Sequence, residues 1–246
     1  MCSQMNEAFS LLPGSGDADV LIVADHASNH VPDDVDLGID PAMLNEHIAW
    51  DIGVGAIAEQ LSARYRHAAL LGSVSRLVTD YNRYPDEEAV MPPVSDGVDI
   101  PGNNLTADQR AARMDRFYKP FHGALAKQLD TRRPAFALFL HSFTPALMSD
   151  PDTARPWDVG ILYNEDERAA RIALDYLRAI SLNVGDQLPY TGLIYNATMV
   201  RQAEARDIPY FCLEIRQDHI GDAAGAARWA DITQQLIVHV LRKLPG

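Results

Sequence analysis

Short apolar runs of about strand length alternate along this chain with longer stretches of helical period. The runs are "VLIVA" (20–24), "AALLGSV" (68–74), "AFALFL" (135–140), "VGILY" (159–163) and "YFCLEI" (210–215). Each is almost continuously apolar, as expected of strands covered on both faces of a sheet. The stretch 40–65 predicts a helix with Asp40 as N-cap and Pro41 at its first position. The stretch 106–130 opens with Thr106 and has Gln109 three residues on, the spacing of a capping box, and Pro120 is expected to kink or divide that helix. Asn164 and Glu167 repeat the spacing before a third helix, and residues 196–207 and 225–244 supply two more. This alternation predicts a three-layer α/β/α domain spanning residues 1–246. The one long irregular stretch, residues 83–104 with four prolines, reads as a lid or pocket rim.

Ligands of α/β sheets usually sit beyond the carboxyl ends of the strands. Asp25, His26 and Asn29 follow "VLIVA". Asp80 closes the run "VSRLVTD", which also contains Arg76, and Asn82 and Arg83 follow it. His141 and Ser142 follow "AFALFL", Asn164 follows "VGILY", and Glu214, Arg216, Gln217 and Asp218 end the last strand. Two histidines on separate strands can hold zinc through ring nitrogens, and a catalytic zinc takes three protein ligands and keeps one position for water. Asp25, Asp51 and, less readily, Asn29 are the candidates for the third ligand. Glu214 stands in a strongly apolar strand, where a carboxylate needs a partner or a task, and it is the candidate general base. Arg76, Arg83 and Arg216 are candidates to bind a substrate carboxylate or a developing oxyanion. The bland readings are a solvated helix face for Asp51, an N-cap for Asn164 and a rim position for His30.

Composition narrows the partners. Of the 246 residues 47% are hydrophobic, enough for a substantial core, and the net charge of -13 disfavours nucleic acid. An anionic small substrate then needs arginines gathered in one pocket. The two cysteines, Cys2 near the terminus and Cys212 in an apolar strand, predict neither a disulfide framework nor a cysteine-based zinc site, and favour a reduced, cytoplasmic setting. The first residues have neither the basic region nor the apolar run of a signal or membrane segment. "GVGAIA" (53–58) imitates a dinucleotide-binding turn but falls in a predicted helix interior, and "GSG" (14–16) reads as a loop.

Read together, "DHASNHVP", "WDIG", "SRLVTDYNR", "FYKPFH", "LHSF", "VGILYN" and "YTGLIYNATMVRQAEARDIPYFCLEIRQD" resemble, in order and over most of the chain, the N-formylglutamate amidohydrolase family. The resemblance implies a mixed-sheet fold similar to zinc carboxypeptidases, one zinc ion, and release of formate from N-formyl-L-glutamate, a step of histidine degradation. It also implies ligands His26 and His141 with Asp51 as the third, since Asn29 stands where relatives of that fold carry a glutamate. Glu214 is then the base, Arg76 the oxyanion donor, Asn82 and Arg83 the α-carboxylate clamp, and Arg216 and Ser142 further substrate contacts. Tyr81 occupies a position more usually leucine. Another N-acyl amino acid or small peptide as substrate, and a non-catalytic protein binding an acidic metabolite, are the alternative readings.

Overall fold

Apolar residues on both faces of each strand leave the chain one economical arrangement, a sheet sandwiched between helices. The structure, a computed structural model, describes residues 4–5, 7–14 and 20–244, so Cys2 and most of the "GSG" loop lie outside the described residues. Ten strands are described: β1 (Gln4–Met5), β2 (Phe9–Leu12), β3 (Val20–Ala24), β4 (Ala68–Gly72), β5 (Val94–Ser95), β6 (Val98–Asp99), β7 (Phe136–Phe143), β8 (Val159–Leu162), β9 (Val184–Asp186) and β10 (Tyr210–Arg216). Six α-helices accompany them: α1 (Val54–Tyr65), α2 (Ala107–Arg113), α3 (Lys119–Arg132), α4 (Arg168–Ala179), α5 (Ala197–Gln202) and α6 (Ala223–Lys243). Among these, no helix is long and apolar enough to cross a membrane.

The main sheet runs β1-β2-β4-β3-β7-β10-β8-β9, and β5 with β6 forms a separate hairpin. Strands β4, β3, β7 and β10 are mutually parallel, while β2 and β8 pair antiparallel with β4 and β10, so the sheet is mixed. Alternation along each strand splits the core in two. Leu21, Val23, Phe139 and Cys212 pack with Phe117, Phe121 and Leu125 on one face. Val20, Ile22, Leu138 and Leu213 pack with Ile57, Leu177 and Trp229 on the other.

Several boundaries differ from those the sequence predicts. Residues 40–65 form no single helix: a 3₁₀ turn, Pro41–Asn45, is capped by Asp40, and α1 begins only after Gly53. Gly53 has φ 85°, and a Cβ there would lie 2.3 Å from the carbonyl oxygen of Ile220, so the chain must turn at a glycine. Asp51 therefore sits in a loop and not on a helix face. "GVGAIA" opens α1, but it follows loop residues and not a strand. The capping box of Thr106 and Gln109 is present, and a π-helical turn, Met114–Tyr118, precedes Pro120, which stands in the first turn of α3 where a helix tolerates proline. Helix α4 starts at Arg168, and Asn164 donates its amide to Glu204 Oε1 (2.9 Å) instead of capping it. Residues 74–80 are turn and irregular backbone and not strand, while β1 and β9 form the sheet edges.

Candidate active site

Strands β3, β7 and β10 run parallel and finish near one another, and the polar residues cluster at their carboxyl ends. His26 follows β3 by two residues. His141 and Glu214 are paired across the β7/β10 ladder, so their side chains share a face. The loop before α1 is laced to this edge: Asp51 N–H donates to His26 O (2.9 Å), Ser75 Oγ–H to Ala49 O (2.7 Å) and Ser75 N–H to His30 O (2.8 Å). Gly72 lets the first loop approach β4, since a Cβ there would lie 2.1 Å from the carbonyl oxygen of Asp25.

Three buried atoms face one another with no hydrogen-bond partner: Asp25 Oδ1, His26 Nδ1 and His141 Nε2. Asp25 Oδ1 is 3.2 Å from His141 Nε2 and 3.8 Å from His26 Nδ1, and the three donors lie within 4.8 Å of one another. Zinc bonds of about 2.0–2.1 Å put neighbouring donors of a tetrahedral site roughly 3.3 Å apart. One unsatisfied buried polar atom costs about 1–3 kcal/mol. Three such atoms converging on one point could hold a metal ion, and the donor set of one carboxylate and two imidazoles suits a divalent one.

The opposite atom of each donor is fixed. His26 Nε2–H donates to Asp80 Oδ1 and His141 Nδ1–H to Asp51 Oδ2, both at 2.8 Å, and Asp25 Oδ2 accepts from Thr198 Oγ (3.0 Å). These contacts set the tautomers that turn the free nitrogens toward Asp25. Arg76 ties the two supporting carboxylates together, with Nη2 and Nε on Asp80 Oδ2 (2.7 and 3.2 Å) and Nη1 on Asp51 Oδ1 (3.4 Å).

Electrostatics follows from this packing. Burial opposes charge on Asp51 and Asp80. The neighbouring His26 with His141 outweighs it at Asp51, and Arg76 with His26 at Asp80, so both carboxyls stay well below the usual range. Burial likewise opposes protonation of His141, but Asp25 and Asp51 prevail and raise it to about 10. His26 is raised in the same sense by Asp80, Asp25 and Asp51 against burial and Arg76. Glu214 goes the other way for a carboxylate: burial, helped by Asp51, pushes it up to about 7 against the pull of His141 and Arg76. Its Oε1 faces Cys212 Sγ at 3.7 Å, and its Oε2 has no partner.

The cleft over this cluster has a volume of about 130 Å³, below the several hundred Å³ of drug-sized sites. His26, Asp51, Arg76, Asn82, Arg83, His141, Ser142 and Glu214, all singled out from the sequence, line it. Asn82 Oδ1 accepts from Thr198 N–H (3.0 Å), which leaves its amide N–H₂ for a ligand. The Arg83 guanidinium lies 5.3 Å from the Tyr195 ring centroid, and its Nε makes no hydrogen bond.

Three of the candidate residues stand apart from the free donor atoms. Asp51 borders the cluster, with Oδ2 3.6 Å from His26 Nδ1, but both its oxygens are committed to His141, Ser142 N–H and Arg76, and Asp25 supplies the free oxygen. Asn29 is turned away, its amide donating to Leu44 O (2.9 Å). Arg216 lies outside the cleft lining, bound to Asp218 and to the carbonyls of Arg155 and Trp157. The Ser142 hydroxyl donates to Ile52 O (3.0 Å), so its hydrogen is spent on the loop that carries Asp51. Tyr81 points into the core, stacked on Phe121 with its hydroxyl on Ala8 O (2.8 Å), and does not line the cleft. Thr198, His47, Tyr190 and Tyr195 were not legible as site residues. They come from helix starts and loops whose local sequence carries no chemical signature.

The sequence model of the N-formylglutamate amidohydrolase family matches residues 18–221. Among solved structures, gene product Atu2144 from Agrobacterium tumefaciens is 31% identical over 96% of each chain, with a TM-score of 0.87. N-formylglutamate amidohydrolase from Ralstonia eutropha JMP134 shares the fold at 18% identity over 96% of each chain, with a TM-score of 0.74. No functionally curated protein matches the chain.

Proposed function

The chain belongs to the N-formylglutamate amidohydrolase family and is a hydrolase of amide bonds, and from that premise we propose that it releases formate from N-formyl-L-glutamate with one zinc ion held by Asp25, His26 and His141. The observation that carries this reading is the convergence of three unpartnered buried donors, of which His26 and His141 line one small cleft together with Glu214 and its unpartnered Oε2. A divalent ion bound there would polarise the formyl carbonyl and lower the pKa of a coordinated water toward about 7.

The chain's own groups do the rest. Glu214, raised to about 7, accepts a proton from the attacking water at Oε2 and returns it to the departing nitrogen as the carbon–nitrogen bond breaks. Formate and glutamate leave. The amide of Asn82 and the guanidinium of Arg83 hold the α-carboxylate. Arg76 has three of its five N–H groups committed to Asp51 and Asp80, and it meets the developing oxyanion with those that remain. A purely binding role needs no buried base, so the placement of Glu214 favours catalysis. The family and the charge pattern favour a small anionic substrate in a cytoplasmic setting.

The test is formate release from N-formyl-L-glutamate by protein of measured metal content. Activity is expected to vanish on chelation and return with zinc. Full turnover in a metal-free preparation would sink the metal-dependent reading, and no formate release from this substrate would sink the substrate assignment.

A further inference from the structure

His47 stands in the cleft on a loop that no part of the proposed reaction uses. Its Nε2–H donates to Asp96 Oδ2 at 2.8 Å, and that contact joins three segments. Asp96 occupies the turn of the β5–β6 hairpin, Ser95–Asp96–Gly97–Val98, with φ 44° at Asp96 and 80° at Gly97, a left-handed pair that asparagine, aspartate and glycine tolerate best. The same carboxylate accepts from Met148 N–H (2.7 Å), Ser149 N–H (3.1 Å) and the Ser149 hydroxyl. Burial opposes its charge, but these donors and His47 prevail and bring Asp96 down to about 2. An ionised carboxylate, anchored by the 144–149 loop, is therefore clamped behind an imidazole that faces the cleft.

The charged groups of the cleft wall leave a vacancy in recognition that this imidazole fills. Arg76 commits three of its N–H groups to Asp51 and Asp80 and is assigned to the oxyanion, so Arg83, whose Nε lies 3.6 Å from Asp80 Oδ2, is the guanidinium left for one carboxylate. Ser142 and Thr144, near the same loop, spend their hydroxyl hydrogens on the Ile52 and Ala146 carbonyls. We infer that His47, held by Asp96, binds the second, side-chain carboxylate of the substrate and so selects dicarboxylic acyl amino acids over their neutral counterparts. This rests on the proposed function and assigns the specificity of the same site. With Nε2 engaged by Asp96, the other ring nitrogen is left for the substrate carboxylate, and the ring bridges the anchored Asp96 to the ligand. One hydrogen bond to a charged group accounts for about a ten- to hundred-fold preference.

The experiment compares N-formyl-L-glutamate with N-formyl-L-glutamine, which has the same shape and no side-chain charge. The wild-type protein is expected to favour the acid at least about ten-fold in kcat/KM. His47→Gln should abolish that preference through KM for the acid, with kcat and the amide substrate changed less than about three-fold. Asp96→Asn should shift the same ratio in the same direction. Equal losses on both substrates, or an unchanged ratio, would overturn the inference while leaving the hydrolase reading intact. Should the protein release no formate, or His47→Gln fail to fold, binding of L-glutamate against L-glutamine to the wild-type protein by calorimetry decides it. Equal affinity for the two overturns the role of His47.

Discussion

Asp51 Oδ2 accepts a hydrogen bond from His141 Nδ1 at 2.8 Å, and this contact turns His141 Nε2 toward Asp25 Oδ1, 3.2 Å away. In the proposed site Asp51 then orients His141, and Asp25 is the carboxylate with a free oxygen. The two aspartates should separate in a zinc titration. Asp25→Ala is expected to lose stoichiometric zinc, whereas Asp51→Asn should still bind one ion with about 10- to 100-fold lower affinity. The reverse order, measured by calorimetry on purified protein, would return the ligand position to Asp51.

Zinc uptake should release protons. The carboxylates around His141 hold it up to about 10 against burial, so this imidazole is protonated at neutral pH before an ion binds, and His26 is raised in the same sense. A ligand imidazole must shed that proton. Affinity is therefore expected to rise between pH 6 and 8, with at least about one proton released per ion, read from binding heats in buffers of different ionisation enthalpy. Affinity independent of pH over that range would contradict the protonated resting state.

Glu214→Gln keeps the size of the side chain and removes the base. Turnover is expected to fall about 10²- to 10⁴-fold while zinc stoichiometry and KM stay close to wild type. The pairing of Glu214 with His141 across the β7/β10 ladder is a backbone feature, so the substitution should leave the ligand in place. A loss of zinc in parallel with activity would mean that Glu214 contributes to the metal cluster instead.

Thr198 connects two functions of the site. Its hydroxyl lies 3.0 Å from Asp25 Oδ2 and 3.0 Å from the Tyr81 carbonyl, and its N–H donates to Asn82 Oδ1 at 3.0 Å. Thr198→Val should weaken zinc binding and lower kcat/KM by about ten-fold through loss of one hydrogen bond to a charged group. Thr198→Ser restores the hydroxyl and should recover most of both. Failure of serine to rescue would point to the methyl group's packing as the important feature.

His122 should shape the acid stability of the fold. It is buried between α3 and α5, with Nε2–H on the Tyr81 carbonyl (3.0 Å) and Nδ1 accepting from Gln202 (3.2 Å). Burial, with Arg201 nearby, pushes it down to about 4. A histidine depressed in the folded state leaves the unfolded chain binding more protons between the two values. Its contribution is therefore complete above about pH 6.5 and is lost as pH falls toward 4, reaching about 3 kcal/mol there. Urea unfolding at pH 7 and pH 4.5 should show a smaller drop for His122→Asn than for wild type, even if the variant starts less stable. An equal drop would assign the acid sensitivity to other groups.

The sequence by itself determined the layers of this protein and pointed to most of the polar residues that line its cleft. Five apolar runs predicted the strands that form the centre of the sheet, because a strand buried on both faces has to be apolar at every position. Polar side chains at the ends of those runs stood out for the same reason, and His26, His141 and Glu214 do converge in one cleft. What the sequence could not fix was which atom of each side chain faces which neighbour. Asp25 and Asp51 are equally plausible ligands as letters. The difference between them lies in hydrogen bonds to residues 90 and more positions apart, such as Asp51 with His141 and Thr198 with Asp25. Arg216 shows the same limit in reverse: at the end of the right strand, it spends its guanidinium on Asp218 and two carbonyls away from the cleft. His47 became legible only once the hairpin carried Asp96 to it across 49 positions. Periodicity reports burial, which is local and averaged along an element. A site is made of directional contacts between elements, and only the tertiary structure sets those.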